Sequence, residues 1–336
     1  MRILFIQRLY SPHIGGVEKQ SQELNKQLLK RGFEVSVITY WYDKSLREKE
    51  NVDGVYVIRI NYPKIKFLGL FFIWFELFKR IGEIKKSDIV HAHGSFIWYW
   101  PFRFIFPKKP VYVTFHGWEG IYPIPWKNKL IRKIDALLAW KNITIHDYVE
   151  KYYGIKADKI SYTAVDLPKR RGFKKNRRKL LYVGRLDVDT GLNLILQALD
   201  YVNDYDVDFC GDGPLKNKCK KYGKVHGFVN PNPYLEEAFI CLSPGVTSIL
   251  EAFTYKCLVV TTYNNFLKRD YLLMTPFSKW IKVGDTPKAL AKLINYYLIN
   301  PNESKSDVEK AYEWVKTQNW DNELKRYLDL WGIKEK

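Results

Sequence analysis

Four residues in the second half of the sequence are suited to binding a phosphorylated ligand. Arg185 directly follows an apolar run, and a guanidinium group there can form paired hydrogen bonds with a phosphate. Thr247 and Ser248 begin a stretch with helical periodicity, and the N–H groups and dipole of a helix start favour an anion. Glu251 falls one turn later, where its carboxylate can accept hydrogen bonds from ribose hydroxyl groups. Together they predict a nucleotide site.

The first half contributes glycine and histidine. Gly15 and Gly16 follow the first apolar run and open a helical stretch, where paired glycines let the backbone approach a ligand closely. Their spacing is not that of the dinucleotide fingerprint GxGxxG. His116 ends a later run at a position that favours ligand contact, whereas for His93 shaping the neighbouring loop is the simpler reading. Gly211 lies in a further run-turn-helix segment at 209–215.

The elements that must position these residues follow a βαβ rhythm that starts again at Lys179. Each half therefore predicts a doubly wound, Rossmann-like parallel sheet, and ligands bind such sheets at the carboxyl ends of the strands. Two such domains in tandem imply a cleft. The predicted strands are 3–6, 35–39, 55–60, 89–91, 111–115, 180–183, 207–209, 239–242 and 258–261, and the predicted helices are 17–31, 192–201, 214–222 and 248–255. The predicted domains are 1–167 with a C-terminal helix at about 313–336, a basic linker at 168–179, and 180–312.

Composition narrows the class of protein. The 336 residues carry a formal net charge of +19, which favours anionic partners such as nucleotides, lipid phosphates or nucleic acid, or reflects a general compositional bias. None of the four cysteines forms a CxxC pair, and the six histidines lack metal-ligand spacing, so we expect a reducing compartment and no metal. The first apolar run is too short for a signal peptide. These features predict a cytoplasmic protein.

The set of motifs, in this order, resembles the family-4 glycosyltransferases of the GT-B fold over nearly the whole chain. The similar segments are 15–18, 116–119, 182–186, 211–214 and 250–252. The resemblance implies a fold of two Rossmann-like domains with a last helix that crosses back to the first domain. It also implies transfer of a sugar from a nucleotide-sugar donor, UDP- or GDP-linked, with retention of anomeric configuration and without a metal.

The resemblance also implies individual roles. Arg185 would neutralise the donor diphosphate, and Glu251 would hold the ribose. Gly15, Gly16, Thr190, Gly211, Thr247 and Ser248 complete the expected donor site. His116 would face the transferring sugar as a catalytic residue beside Arg185, while His93 and Glu119 would contact the acceptor. Because the leaving diphosphate accepts the proton, no protein nucleophile is required.

Three departures from the family pattern affect the donor side. Thr190 stands where the family usually has a lysine, so one diphosphate contact is lost or comes from another basic residue. The first glutamate of the family's paired-glutamate pattern would fall at Ser243, so the acid that contacts the sugar is missing or replaced. The segment 163–166 also lacks the usual Pro-Asn-Gly.

The acceptor side is marked by two aromatic segments flanked by basic residues, 64–86 and 96–109. They are too short to span a bilayer and suit helices lying in a membrane interface, or else packing against the sheet. Membrane contact would make a lipid-linked acceptor natural at the inner face of the cell membrane, and a saccharide acceptor is the alternative.

Other functions stay open at this point. A sugar-nucleotide epimerase shares the fold, but the Gly-Arg-Leu and Leu-Glu-Ala segments favour transfer. A catalytically weak GT-B binding subunit is kept open by the missing acid. Only the net charge suggests a nucleic-acid-binding protein, and because no recognition motif accompanies it we expect no specific nucleic acid.

Overall fold

The computed structural model describes residues 1–13, 15–62, 65, 68–117, 119–169 and 172–334. In the first part of the chain the elements are β1 (Arg2–Gln7), α1 (Gly16–Lys30), β2 (Glu34–Tyr40), β3 (Lys49–Val52), β4 (Val55–Ile60), α2 (Gly69–Phe78), α3 (Ile81–Lys86), β5 (Ile89–His93), α4 (Trp100–Ile105), β6 (Val111–Phe115), α5 (Trp126–Leu138), β7 (Lys141–Ile145), α6 (Tyr148–Tyr153) and β8 (Lys159–Ser161). They are followed by β9 (Asn176–Val183), α7 (Leu192–Leu199), β10 (Asp206–Cys210), α8 (Lys216–Cys219), β11 (Lys224–Gly227), α9 (Asn232–Glu237), β12 (Ala238–Leu242), α10 (Val246–Thr254), β13 (Leu258–Thr262), α11 (Phe266–Leu273), β14 (Lys282–Gly284), α12 (Pro287–Ile299), α13 (Lys305–Val315) and α14 (Trp320–Trp331).

The chain divides into two compact units. The first comprises Met1–Thr163 together with Trp320–Lys336, and the second comprises Ala164–Asn319. These boundaries differ from the predicted ones. Strand β9 begins at Asn176, inside the segment predicted as a linker, because Asn176 pairs with Ala238 of β12. Positions 170 and 171 of that predicted linker, and 64, 66 and 67 of the first aromatic segment, lie outside the described residues.

The first unit is built on one sheet whose described strands run in the order β3-β4-β2-β1-β5-β6-β7-β8. Neighbours are parallel except β3, which pairs antiparallel with β4 at the edge. The chain moves outward from β1 in one direction and then from β5 in the other. The switch point between β1 and β5 therefore lies beside the loop that leads to α1 and beside His93, the last residue of β5.

The last helix, α14, belongs to the core of the first unit. Leu324, Tyr327 and Leu328 are at most 2% exposed and pack with the β1 and β2 side chains. The indole N–H of Trp331 donates to Nδ1 of His91 at 3.0 Å. The helix predicted at 313–336 is in fact two helices, and only the second is in this unit. Trp314, in α13, packs against Phe277 in the second unit.

The second unit contains a fully parallel sheet with its described strands in the order β11-β10-β9-β12-β13-β14. From the central strands β9 and β12, the sheet continues through β10 to β11 on one side and through β13 to β14 on the other. This is the doubly wound arrangement, and its switch point lies between β9 and β12. The core is formed by the apolar faces of these strands with α7 and α12. A helix was predicted over 214–222, but α8 is limited to Lys216–Cys219 because turns occupy both flanks.

Candidate functional site

In the second unit, the loops after β9 and β12 meet the switch point of the sheet. Arg185 follows the end of β9 by two residues, and its side chain is 61% exposed. Its guanidinium group lies 2.7 Å from the Asp189 carboxylate and 3.5 Å from that of Asp187. Arg185 is therefore held in place by two acids of its own loop, and such exposed pairs are weak enough to yield to a ligand anion.

The start of α10 supplies unpaired amides at the same switch point. The helix begins at Val246, so Thr247 and Ser248 lie in its first turn, as predicted. The Val246 N–H donates to the Tyr271 hydroxyl at 3.0 Å, whereas within the described part of the chain the N–H groups of Thr247 and Ser248 have no acceptor. The Ser248 hydroxyl donates to the Gly245 carbonyl at 2.9 Å. The helix start thus offers two amides to an anion, and Ser248 offers its backbone in preference to its hydroxyl.

Glu251 lies in the second turn of α10 and is partly buried. It is one turn beyond the two open amides, which is the placement predicted for a ribose ligand.

Thr190 was predicted as a donor-binding residue, and its hydroxyl group is hydrogen-bonded within its own part of the chain. Its hydroxyl donates to the Asp187 carbonyl at 2.6 Å and accepts from the Tyr182 hydroxyl at 3.0 Å. The side chain is buried, with 8% of the residue exposed. The hydrogen that the hydroxyl could donate to a phosphate is used by the Asp187 carbonyl, so Thr190 shapes the Arg185 loop from within.

Gly211 was predicted as a member of the donor site, and in the structure it lies against the loop that follows β9. A Cβ atom at this position would lie 1.8 Å from the Gly184 carbonyl oxygen, at a backbone φ of +158°. The two loops are joined by hydrogen bonds from Gly184 N to Cys210 O and from Leu186 N to Asp212 O. The glycine permits this contact between loops and so fixes the backbone on either side of Arg185.

In the first unit, His116 forms a pair with His93. Nδ1 of His93 lies 2.8 Å from Nε2 of His116, so one ring donates to the other. Burial, with Arg132 as a second cause, lowers the pKa of His116 to about 3, and burial lowers the pKa of His93 well below its ordinary value. Both rings are therefore neutral at physiological pH, and each can form hydrogen bonds without carrying a second proton.

His93 was predicted to contact the acceptor, but it is only 4% exposed and lies behind His116. It is packed against the Phe5 ring, with centroids 5.2 Å apart. The ring is therefore buried, and the hydrogen bond to His116 is its polar contact toward that residue.

A cavity of about 330 Å³ opens beside His116 at the carboxyl ends of β5 and β6. Glu119 lines it, but its carboxylate is committed on both oxygens, at 2.7 Å to Arg132 and at 2.5 Å to the Tyr153 hydroxyl. Arg132 also donates to the Gly117 carbonyl at 2.9 Å. Glu119 therefore shapes one wall of the cavity and positions Arg132.

Sequence reasoning missed a second acid of this cavity, which is buried. Asp135 is 3% exposed, accepts a hydrogen bond from the Trp100 indole at 2.6 Å, and lines the same cavity. Burial raises the pKa of its carboxyl to about 7. Asn128, Arg132 and Asp135 lie on one face of α5, and this polar face at spacings of four and three residues was the available signal.

The two predicted glycines of the first unit differ in their surroundings. Gly15 is the N-cap of α1, and a Cβ atom there would lie 2.1 Å from a carboxylate oxygen of Glu18. The negative charge beside Gly15 is therefore that of the Glu18 carboxylate. Gly16 has open space around the Cβ position, so of the pair it is the one that leaves room for a ligand.

The first aromatic segment is exposed along one side of α2. Phe71, Phe75 and Phe78 are 55–61% exposed, at helical spacings of four and three residues. The opposite side, Ile73 and Leu77, is buried. The alternative of simple packing against the sheet is therefore wrong for this face of the helix.

The second aromatic segment is mostly core. Phe96, Tyr99 and Phe102 are fully buried, and Phe104 at 73% exposure is the exception among the rings. Three exposed lysines, Lys85, Lys86 and Lys108, flank the two segments and form no ion pair with a described residue. Within the described residues, no helix combines the length and apolar character needed to cross a membrane, and no group of three His, Cys, Asp or Glu could hold a metal ion.

Comparison with solved structures identifies the fold. The structure is similar to sucrose-phosphate synthase from Thermosynechococcus elongatus, with a TM-score of 0.79 and 15% identity over 98% of both chains. It is also similar to HepE of Anabaena in complex with UDP and glucose, with a TM-score of 0.74 and 15% identity over 98% of both chains. The fold is GT-B.

The family follows from the sequence. Residues 14–164 match the model described as Glycosyltransferase Family 4, and residues 166–314 match that described as Glycosyl transferases group 1. An uncharacterized glycosyltransferase of Methanocaldococcus jannaschii is 23% identical over 283 aligned positions, which cover 68% of this chain and 70% of that protein. The chain belongs to the family-4 glycosyltransferases, and it is a glycosyltransferase.

Proposed function

We propose that the protein transfers a hexose from a nucleoside diphosphate sugar to a lipid-linked saccharide acceptor with retention of anomeric configuration. The observation that carries the donor class is the meeting of the Arg185 loop with the open amides of Thr247 and Ser248 at one switch point. A guanidinium and two N–H groups there suit a diphosphate, and Glu251 one turn on suits a ribose. The similar fold of HepE, solved with UDP and glucose, supports a UDP-linked donor.

The proposed chemistry needs no carboxylate nucleophile. The acceptor hydroxyl attacks the anomeric carbon on the face from which the diphosphate leaves, and a diphosphate oxygen takes up the proton. Arg185 and the α10 amides stabilise the negative charge that develops on the leaving group. As a neutral ring, His116 forms a hydrogen bond with a sugar hydroxyl, either as donor or as acceptor, which fits its lowered pKa.

Nucleotide binding by the wild type and by Arg185→Ala tests the donor class. A ligand at 100 times its Kd should stabilise the protein by about 2.7 kcal/mol. We expect a rise in melting temperature with UDP or GDP and their sugar conjugates, and loss of that rise in Arg185→Ala. Lys292→Ala, an exposed lysine of α12, is the matched control. No rise with UDP, GDP or ADP conjugates would favour a catalytically weak binding subunit. The anomeric configuration of the product, read by NMR, tests retention.

The acceptor class rests on the exposed face of α2. Three exposed phenylalanines on one side of a helix, in a segment that ends at the exposed Lys85 and Lys86, fit the interface of an anionic bilayer better than water. A second cavity of about 340 Å³, lined by Tyr40, Trp41 and Phe72 among others, opens next to the same helix and offers aromatic rings to a sugar. We propose peripheral attachment at the inner face of the cell membrane through this helix.

Sedimentation with vesicles tests the attachment. Vesicles containing phosphatidylglycerol should carry the protein down, and those of phosphatidylcholine alone should carry much less. Replacement of Phe71 and Phe75 by Ser should abolish the binding, while Ile73 is left intact to preserve the core. Equal binding by both vesicle types, or none, would count against a membrane surface and favour a soluble saccharide acceptor.

A further inference from the structure

Lys268, in α11, is a buried cation that forms no ion pair with a described carboxylate. The residue is 7% exposed. Its Nζ donates to the Pro244 carbonyl oxygen and lies 4.6 Å from the centroid of the Tyr271 ring. Across the described ranges of the chain it forms no ion pair with a carboxylate. Burial lowers the pKa of this ammonium to about 8, and the charge of the Asp189 carboxylate offsets part of that shift.

An unpaired buried charge is costly, so its presence requires a reason. An ammonium group has three N–H donors, and the Pro244 carbonyl takes one. The carboxylate with the largest effect on the pKa of Lys268 is that of Asp189, which is already bonded to Arg185 at 2.7 Å. The protein therefore holds Lys268 in a charged position whose natural partner is an anion from outside the chain.

The position of Lys268 in the fold indicates which anion would pair with it. Pro244 lies between β12 and α10, two residues before Val246, and the Val246 N–H is bonded to Tyr271, one turn after Lys268. Lys268 and Tyr271 thus both contact the segment that leads into α10. The open amides of Thr247 and Ser248 come directly after it.

Two further features belong to the same place. The Thr262 hydroxyl, at the carboxyl end of β13, is 1% exposed and lacks a hydrogen-bond partner in the described structure. The Thr262 methyl lies against Gly191, in the loop of Arg185. Arg185 itself is close enough to Lys268 for its charge to affect the pKa of the lysine. A buried unsatisfied hydroxyl marks a site where a further polar partner is expected.

We propose that Lys268 binds the diphosphate of the donor, in concert with the α10 amides and Arg185. This inference rests on the proposed donor class and names a residue that the family motifs do not contain. It also gives a source for the basic contact that the Thr190 loop lacks. Because the bound anion stabilises the charged ammonium, binding should raise the pKa of Lys268 and take up a proton above pH 8.

Calorimetric titration with UDP and GDP tests the proposal. The variants are Lys268→Met, which keeps the apolar stem, Lys268→Arg, which keeps the charge, and Lys292→Met as an exposed control. We expect Lys268→Met to lose about 10- to 100-fold in affinity for the nucleoside diphosphate, as for loss of one charged hydrogen bond. Affinity for the free nucleoside should stay unchanged. Lys268→Arg should retain most of the affinity.

Proton linkage separates binding from a structural role. At pH 8.5, titrations in two buffers of different ionisation enthalpy should show net proton uptake by the wild type, and none by Lys268→Arg. Lys268→Met should unfold at the same or higher temperature than the wild type, because a buried charge is removed. Diphosphate binding by Lys268→Met with unchanged affinity overturns the inference and leaves the proposed function intact. A wild type that binds no nucleoside diphosphate contradicts both.

Discussion

Replacement of Asp135 by Asn should make the protein more stable than the wild type, by a margin that grows as the pH rises. The carboxyl is 3% exposed, and burial raises its pKa from the ordinary 3.8 to about 7. A folded pKa above the unfolded one means that the unfolded chain loses its proton first. Stability from the protonated carboxyl is therefore full below pH 3.8 and is lost progressively up to pH 7. At 1.36 kcal/mol per pH unit, the whole loss is about 4 kcal/mol.

The asparagine side chain keeps the oxygen that accepts from Trp100 and removes the titration. We therefore expect the gap in unfolding free energy between Asp135→Asn and the wild type to grow by about 2.5 kcal/mol from pH 5 to pH 8. Urea unfolding at each pH, followed by the signal of the first unit, measures this gap. Asp329→Asn is the control, since that side chain is 49% exposed.

Parallel stability curves for Asp135→Asn and the wild type between pH 5 and pH 8 would refute the reasoning, because no burial cost would then exist. A gain in stability with loss of transfer activity would be informative in another way. It would mean that the carboxyl is kept, at a cost to folding, for contact with a ligand in the cavity beside His116.

Three further predictions follow from single contacts. Trp331→Phe keeps an aromatic ring but loses the indole hydrogen bond to His91, so the unfolding free energy should fall by at least about 1 kcal/mol; an unchanged urea midpoint would contradict this. Gly211→Ala places a carbon against the Gly184 carbonyl, so by calorimetry the second unit should melt several degrees lower and nucleotide binding should weaken; a wild-type affinity would mean that the loops adjust freely. His116→Gln should lower kcat without moving the pH profile between pH 5.5 and 7.5, since the ring is already neutral there; loss of an acidic limb would show that the histidine titrates.

The sequence was most informative where local pattern and tertiary burial coincide. The strands at 55–60 and 111–115 have the predicted bounds, because fully buried parallel strands are continuous apolar runs. The first turn of α10 also lies where predicted, since small residues before an apolar helix are a local signal. Local pattern failed at 214–222, where flanking turns shorten the helix.

Side-chain partners were beyond the reach of pattern. Thr190 has the composition of a ligand-binding residue, yet its hydroxyl is used by Tyr182, eight residues away in sequence and across the loop. Gly211 looked like a site glycine and is explained by the Gly184 carbonyl of a neighbouring strand end.

The sequence by itself determined the class of protein, because repeated βαβ units with glycine, arginine and small residues at strand ends allow few folds. Only the tertiary structure decided which charges are isolated. Asp135 and Lys268 look like ordinary helical surface residues in the sequence, and each became notable when distant elements buried it. The cost of burying a charge depends on what surrounds it in three dimensions, and sequence spacing does not contain that information.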